Sequence, residues 1–209
     1  MSKNTEISFS LRNPCNYSCE YCIGKGVHNS IIQHDMKKLY DIYELTGSFV
    51  FTVFECGTGE PTLHPQIKDI LFLMKNYGTI SMPTNNSISP KNWLLKDFAK
   101  SMLLNITIHP QAEKEIDSFT ERLVEIRELG SVINLRYIAR PDRMHNIQRL
   151  KDYFEIRGFD IKGIPFEGSY NGKEYPISYS EDEKKILKID DNKNYFLDKK
   201  MLYDKFKTL

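Results

Sequence analysis

The stretch CNYSCEYC, residues 15–22, holds three of the chain's four cysteines, with three residues and then two residues between them. Thiolates this close together can bind one metal centre, and a set of three leaves one coordination position of a four-iron cluster or of a tetrahedral ion open. An open position indicates chemistry at the metal. The spacing alone leaves two alternatives, an iron–sulfur cluster and a structural zinc ion completed by His28.

Composition limits the classes of function. The 209 residues include 29 basic and 28 acidic side chains, a net charge of +1, and 40% of them are hydrophobic. This is enough for one packed domain with an attached tail, and the balanced charge favours neither nucleic acid nor an anionic membrane as a partner. No apolar run approaches the ~20 residues of a membrane span, and the polar start MSKNTEISFS is unlike a secretory signal. We therefore expect a cytoplasmic protein, where clustered cysteines favour metal or redox chemistry over disulfides.

Strand-like and helix-like patterns alternate six times along the chain. The strand patterns are ISFSL (7–11), FVFTVFE (49–55), TISMPT (79–84), LLNITIH (103–109), VINLRYIA (132–139) and DIKGIPFEG (160–168). The helix patterns cover residues 34–45, 67–74, 90–101, 113–129 and 147–156. In the first helix, Met36, Leu39, Ile42 and Leu45 recur at helical spacing, and in the second Ile67, Ile70, Leu71 and Met74 form the apolar stripe.

This alternation predicts an α/β fold with a parallel sheet and outer helices. A closed eight-unit barrel typically needs ~250 residues, so the prediction is a partial (β/α)6 TIM-type barrel. A doubly wound sheet of the flavodoxin type is the alternative. In both architectures functional residues collect at the C-terminal ends of the strands. The segments that fall there are CNYSCEYC, GTGEP, TNN, IHP and RPDR.

The cysteine loop directly after the first strand, with Tyr21 before its third cysteine and GTGEP (57–61) after the second strand, resembles the radical S-adenosylmethionine (radical SAM) superfamily. The resemblance covers about residues 5–168. It implies that Cys15, Cys19 and Cys22 bind three irons of a 4Fe-4S cluster, and that the fourth iron binds the amino and carboxylate groups of SAM. The implied reaction is reductive cleavage of SAM to a 5'-deoxyadenosyl radical, which abstracts hydrogen from the substrate.

The same resemblance implies SAM contacts in the first two loops. Thr58, Gly59, Glu60 and Pro61 match the family's GGEP motif, with Thr58 in place of its first glycine. Glu60 would accept a hydrogen bond from the SAM ammonium or would orient the loop. Tyr21 would lie against adenine, or it would only pack the loop on the sheet. The fourth cysteine, Cys56, is interpreted as a small apolar residue at a strand end.

Further SAM contacts are implied at the ends of later strands. Thr84 and Asn85 resemble a T-N-G segment, with Asn86 where the family often has glycine. His109 occupies the place where relatives contact ribose, or it has a structural or substrate-binding role. Arg136 lies within an apolar strand, where an unpaired charge is costly to bury, and it would pair with the methionyl carboxylate of SAM.

After Gly168, turn formers and charges replace the alternating pattern, so we predict a radical SAM core domain over residues 1–168 and a C-terminal extension over 169–209. No cysteine follows Cys56, so the chain is either shortened or needs only one cluster. The resemblance implies a one-electron reductant such as flavodoxin or ferredoxin as a partner. It favours a peptide as substrate and leaves a small molecule open.

Overall fold

The structure is a computed structural model that describes residues 5–22, 30–46 and 50–189. Six strands form one sheet in the order β1-β2-β3-β4-β5-β6. Their bounds are β1 Thr5–Phe9, β2 Val50–Phe54, β3 Gly78–Thr84, β4 Met102–Ile108, β5 Val132–Ala139 and β6 Ile161–Pro165. The first four strands pair in parallel, with Phe9 opposite Phe54 and Thr84 opposite Ile106. A doubly wound sheet reverses its strand order, whereas this order is sequential. The predicted α/β fold of the partial-barrel type is confirmed.

Seven helices lie in the described part of the chain. They are α1 Met36–Thr46, α2 Ile67–Met74, α3 Lys96–Ala99, α4 Pro110–Glu113, α5 Ile116–Glu128, α6 Asn146–Glu155 and α7 Glu181–Leu187. Short 3-10 turns cover Pro61–Leu63, Pro90–Asn92 and Pro141–Arg143, and β7 Gly168–Tyr170 pairs antiparallel with β8 Lys173–Tyr175. Proline begins each 3-10 turn because its fixed φ suits the first turn of a helix. Among the described residues, no helix combines the length and the apolar character that crossing a membrane requires.

The buried face of α2 is the predicted one, whereas that of α1 is not. Ile67, Ile70, Leu71 and Met74 of α2 are all buried, and this helix packs against β3. The buried residues of α1 are Leu39 and Tyr43. Ile42 and Leu45, which were predicted to face inward, are 50% and 88% exposed. The Tyr43 hydroxyl hydrogen-bonds to Thr52 Oγ1 of β2 at 2.7 Å, so this buried polar contact helps to decide which face of the helix meets the sheet.

Two of the predicted helices are interrupted. The segment 90–101 forms a 3-10 turn and then α3, because Leu95 between them is extended with φ −104° and ψ 146°. Its inward residues Trp93, Leu94 and Phe98 are nevertheless buried, as predicted. The segment 113–129 is divided between α4 and α5 at Glu115, whose φ of −125° and ψ of 40° lie outside the helical region.

The chain forms two compact units. The first comprises Met1–Arg136 and Phe159–Lys162, and the second Tyr137–Gly158 and Gly163–Leu209. In the second unit the buried Tyr179 hydroxyl accepts a hydrogen bond from the Phe166 N–H and donates one to the Ala139 carbonyl. All predicted site residues belong to the first unit. The predicted boundary at residue 168 stays a prediction.

Candidate functional site

The cysteine loop is held against the GTGEP turn by three hydrogen bonds. The N–H of Asn13 donates to the Thr58 carbonyl at 3.0 Å, the Asn13 amide donates to the Glu60 carbonyl, and the N–H of Glu60 donates to the Pro14 carbonyl at 3.4 Å. Asn13 is fully buried. The backbones approach so closely that a Cβ on Gly59, which has φ +112°, would lie 1.8 Å from the Asn13 carbonyl oxygen. Only glycine fits there.

The Glu60 carboxylate joins the GTGEP turn to the end of β3. Its Oε1 accepts hydrogen bonds from the N–H and Oγ1 of Thr62 and from Thr84 Oγ1, and its Oε2 accepts from the N–H of Asn85 at 2.7 Å. Glu60 is buried. Burial raises the pKa of its carboxyl group, and these four hydrogen bonds oppose that rise. The sequence suggests that Glu60 either binds the SAM ammonium or orients the loop. The hydrogen bonds of the structure support the second role. A contact with SAM stays a prediction.

Substitution of Glu60 by glutamine should lower the free energy of unfolding by about 2 to 3 kcal/mol, because the amide nitrogen replaces an acceptor that buried donors require. Chemical denaturation with a circular-dichroism readout measures this difference. Glu121 is exposed on α5, so Glu121→Gln is the matched control and should change stability by less than about 0.5 kcal/mol. Equal destabilisation in the two variants would show that the Glu60 network does not hold the turn.

The end of β3 reaches the cysteine loop through Asn85. Its amide donates to Asn16 Oδ1 at 3.0 Å and lies 3.8 Å from Cys15 Sγ. Asn86 follows in the left-handed conformation with φ +54°, and its amide donates to the Phe119 carbonyl at 3.1 Å. Asparagine tolerates this conformation better than most residues, which explains how it stands where a glycine is expected.

The three cysteines of the loop are half-buried, and none of them forms a disulfide. Cys15 Sγ accepts a hydrogen bond from the N–H of Tyr17 at 3.5 Å, and Cys19 Sγ lies 3.3 Å from His109 Nδ1. The N–H of Cys22 donates to the Cys19 carbonyl, which closes a turn between these two cysteines. Burial raises the pKa of the Cys19 thiol to about 11. Two thiols of the loop therefore contact polar groups of the protein.

This donor set has the chemistry of an iron–sulfur site. Three soft sulfur ligands lie on one short loop, and N–H groups point at the sulfur of Cys15, as outer-shell donors do around cluster thiolates. Within residues 5–22, 30–46 and 50–189, no three His, Cys, Asp or Glu side chains are placed to hold a single metal ion. His28, the fourth ligand of the zinc alternative, lies outside the described residues, so that alternative is untested.

His109 forms an aromatic group with two tyrosines of the cysteine loop. The Tyr21 hydroxyl lies 2.7 Å from His109 Nδ1, and the two rings stack with centroids 5.9 Å apart. The Tyr17 ring meets the imidazole edge-on at 5.6 Å. Burial lowers the pKa of His109 to about 4, so the imidazole is neutral at pH 7. The structure therefore shows Tyr21 packing the loop against the end of β4, and its contact with adenine stays a prediction.

Arg136 contacts polar side chains of the neighbouring strands. Its Nη2 donates to Asn105 Oδ1 on β4, and Asn105 Nδ2 donates to Ser81 Oγ on β3 at 2.9 Å. Burial lowers the pKa of the Arg136 guanidinium, which indicates incomplete solvation. Cys56 is exposed and free. The sequence placed Arg136 inside a strand, but it did not reveal Asn105 as its partner.

Comparison with known proteins gives one curated relative. The chain is 28% identical over 162 residues to the S-adenosylmethionine-dependent nucleotide dehydratase of Flammeovirga pacifica, a match that covers 75% of the chain and 51% of the relative. No family model matches the chain. The chain thus spans about half the length of this relative.

Solved structures share the fold. SuiB of Streptococcus suis, bound to the precursor peptide SuiA, matches with a TM-score of 0.63 at 15% identity, over 90% of this chain and 45% of SuiB. The enzyme anSMEcpe with bound AdoMet matches with a TM-score of 0.58 at 16% identity, over 82% of this chain and 54% of anSMEcpe. The chain resembles radical SAM enzymes. This confirms the resemblance that the cysteine loop and the GTGEP turn predict, and the likeness to the solved structures is one of fold.

Proposed function

We propose that the chain is a radical SAM enzyme that binds a 4Fe-4S cluster through Cys15, Cys19 and Cys22 and binds SAM at the neighbouring strand ends. The observation that carries this proposal is the docking of the thiol loop onto the GTGEP turn through Asn13, with Cys15 Sγ 3.8 Å from the Asn85 amide at the end of β3. The chemistry supplied with both cofactors bound is reductive cleavage of SAM to a 5'-deoxyadenosyl radical for hydrogen abstraction. The subclass, oxidoreductase, lyase or transferase, is left open.

The residues proposed to contact SAM are Tyr21, Thr58, Gly59, Glu60, Pro61, Thr84, Asn85 and His109. A carboxylate offers about four lone-pair positions, and the Glu60 carboxylate already accepts four hydrogen bonds. We therefore propose that main-chain carbonyls of the GTGEP turn, rather than this carboxylate, accept hydrogen bonds from the SAM ammonium. Glu60 would keep those carbonyls in position.

For the substrate we propose a peptide, and a small molecule as the second candidate. A peptide is supported by the fold shared with SuiB, which was solved with a precursor peptide. A nucleotide is supported by the name of the curated relative. Because the chain spans about half of each protein, substrate contacts outside the matched part are not represented. We also propose a one-electron reductant such as flavodoxin or ferredoxin as partner, in the cytoplasm.

The direct test is anaerobic incubation of the iron-reconstituted protein with SAM and dithionite. We expect slow release of 5'-deoxyadenosine without substrate, since cleavage requires only the cluster, an electron and SAM. Chromatography measures the product, and SAM omitted from the same preparation supplies the blank. Cys56→Ala should release product at the normal rate, because Cys56 is not among the proposed ligands. A preparation that holds zinc in place of iron, or one with full iron and bound SAM but no product, would contradict the proposal.

A further inference from the structure

A row of polar side chains crosses three strands of the first unit below the cysteine loop. Ser81 lies on β3, Asn105 on β4, and Asn134 and Arg136 on β5. Asn105 is the centre of the row, since its Oδ1 accepts from Arg136 Nη2 and its Nδ2 donates to Ser81 Oγ at 2.9 Å. The Asn134 amide lies with its Oδ1 toward the guanidinium, where it accepts from Arg136 Nη2 at 2.8 Å and from Arg136 Nε at 3.1 Å. Hence the guanidinium is held in a defined orientation. We call these four residues the polar row.

The polar row lies on one face of the sheet, where Ser81 is buried and the other three members are half-buried. Its members alternate with residues whose side chains are buried, such as Met82 beside Ser81 and Leu104 and Ile106 beside Asn105. Successive side chains of a strand point to opposite faces, so the row lies on the opposite face from these apolar residues.

The main chain of the row lies deeper in the sheet than the strand ends, although the Arg136 guanidinium interacts with Cys56 just past the end of β2. Ser81 and Asn105 each lie three residues before the last residue of their strands, Thr84 and Ile108. At ~3.3 Å per residue this places the row roughly 10 Å from the strand ends where the cysteine loop docks. A ligand that extends inward from the cysteine loop could therefore place one of its groups at the row.

Arg136 lacks a counter-ion in the part of the chain that the structure describes. Its side chain is half-buried, and no carboxylate of these residues lies within ion-pair distance. The hydrogen bonds to Asn105 and Asn134 use three of its five N–H donors and leave the two on Nη1. An unpaired, partly buried cation is unfavourable, and a guanidinium pairs best with the two oxygens of a carboxylate or phosphate.

We propose that the polar row, with Arg136 as its cation, is an oxyanion site that binds a carboxylate or phosphate group of the substrate. This rests on the proposed function, and it assigns to Arg136 a substrate group in place of the methionyl carboxylate that the sequence predicts. Asn105 is a positioning residue for the guanidinium. The substrate would then be an anionic molecule whose reacting end lies near the strand ends.

Cys56 offers a reporter for this site. The residue is exposed, partial desolvation of its sulfur raises the thiol pKa, and the nearby Arg136 guanidinium lowers it. The experiment compares alkylation of Cys56 by anionic iodoacetate and by neutral iodoacetamide in the reconstituted protein under anaerobic conditions. Mass spectrometry of the Cys56 peptide gives the rate of each reagent. We use the ratio of the iodoacetate rate to the iodoacetamide rate. Both reagents react with the same thiolate, so this ratio does not depend on the fraction of Cys56 that is ionised.

We expect the ratio to fall roughly threefold in Arg136→Gln, the effect of one nearby charge, and to stay close to the original value in Arg136→Lys. Arg127 packs on the Phe159 ring with its guanidinium 4.4 Å from the ring centroid, so Arg127→Gln is the matched control and should leave the ratio unchanged. A ratio that is equal in the original protein and in Arg136→Gln overturns the proposal.

Three additions identify the ligand. Saturating SAM should leave the ratio unchanged, while inorganic phosphate or acetate should slow iodoacetate more than chloride does at the same ionic strength. Protection by phosphate alone assigns a phosphoryl group, and protection by acetate alone assigns a carboxylate. If neither anion protects, the oxyanion site is refuted.

If SAM lowers the ratio to that of Arg136→Gln, Arg136 binds the methionyl carboxylate, and the inference fails while the proposed function stands. Direct measurement of SAM binding in the same samples keeps the two apart.

Discussion

Gly59→Ala is expected to lower the free energy of unfolding by about 3 kcal/mol or more, the largest effect on stability that we predict for a single substitution. The added Cβ would lie 1.8 Å from the Asn13 carbonyl oxygen and 2.8 Å from its carbon, so the cysteine loop and the GTGEP turn could not remain in contact. The φ of +112° adds strain for any residue with a side chain. Urea denaturation followed by circular dichroism measures the loss.

Gly172 is the matched control for this substitution. It also has a positive φ, +74°, but no atom lies within 4 Å of the position a Cβ would take. Gly172→Ala should therefore show the backbone strain alone, about 1 kcal/mol. If the two alanine variants are equally stable, close approach to Asn13 is not what requires glycine at position 59.

Combined replacement of Cys15, Cys19 and Cys22 by alanine is expected to abolish iron and sulfide binding after anaerobic reconstitution. A 4Fe-4S cluster is held by cysteine thiolates, and the only other cysteine of the sequence is the exposed Cys56. The fold should persist, since the hydrogen bonds that dock the loop are made by Asn13, Pro14 and the GTGEP turn. Iron and sulfide assays on the refolded variant, with circular dichroism as a check of folding, measure the outcome.

Cys56→Ala is the control for the cysteine triplet and should retain a full complement of iron and sulfide. Cys56 lies two residues after the end of β2, and its thiol interacts with Arg136 and Glu55. Unchanged iron and sulfide in the triple variant would contradict the ligand assignment, and so would loss of the cluster in Cys56→Ala.

The sheet could be predicted from the sequence because long apolar strand runs alternate with helical patterns over six units. Strand ends could be located to within a few residues, and this places the cysteine loop, the GTGEP turn and His109 at one edge. Which face of a given helix is buried was harder to predict. In α1, the buried Tyr43 hydrogen-bonds to Thr52 of β2. This is a tertiary contact, so the periodicity of the helix sequence alone does not predict it.

The sequence analysis missed two features, the capping box of α7 and the contact of Asn13 with Glu60. Only the first has a recognisable sequence motif. Ser180 and Glu183 form a capping box at the start of α7, and a serine followed three residues later by glutamate is a readable helix start. By contrast, Asn13 reads as a strand-ending residue before proline, and nothing local shows that its amide will meet the Glu60 carbonyl. Contacts between loops 47 residues apart in sequence follow only from the assembled sheet.

The contact between the two loops is made largely by main-chain groups, and this decides which positions can vary during evolution. Thr58 takes part through its carbonyl, while its hydroxyl donates back to the Glu55 carbonyl within the same turn. The backbone conformation of the turn is therefore more constrained than its amino-acid sequence. A small residue other than glycine can stand at position 58 without loss of the contact, whereas positions 13 and 59 have no such freedom, and a search pattern that demands two glycines would overlook chains of this kind.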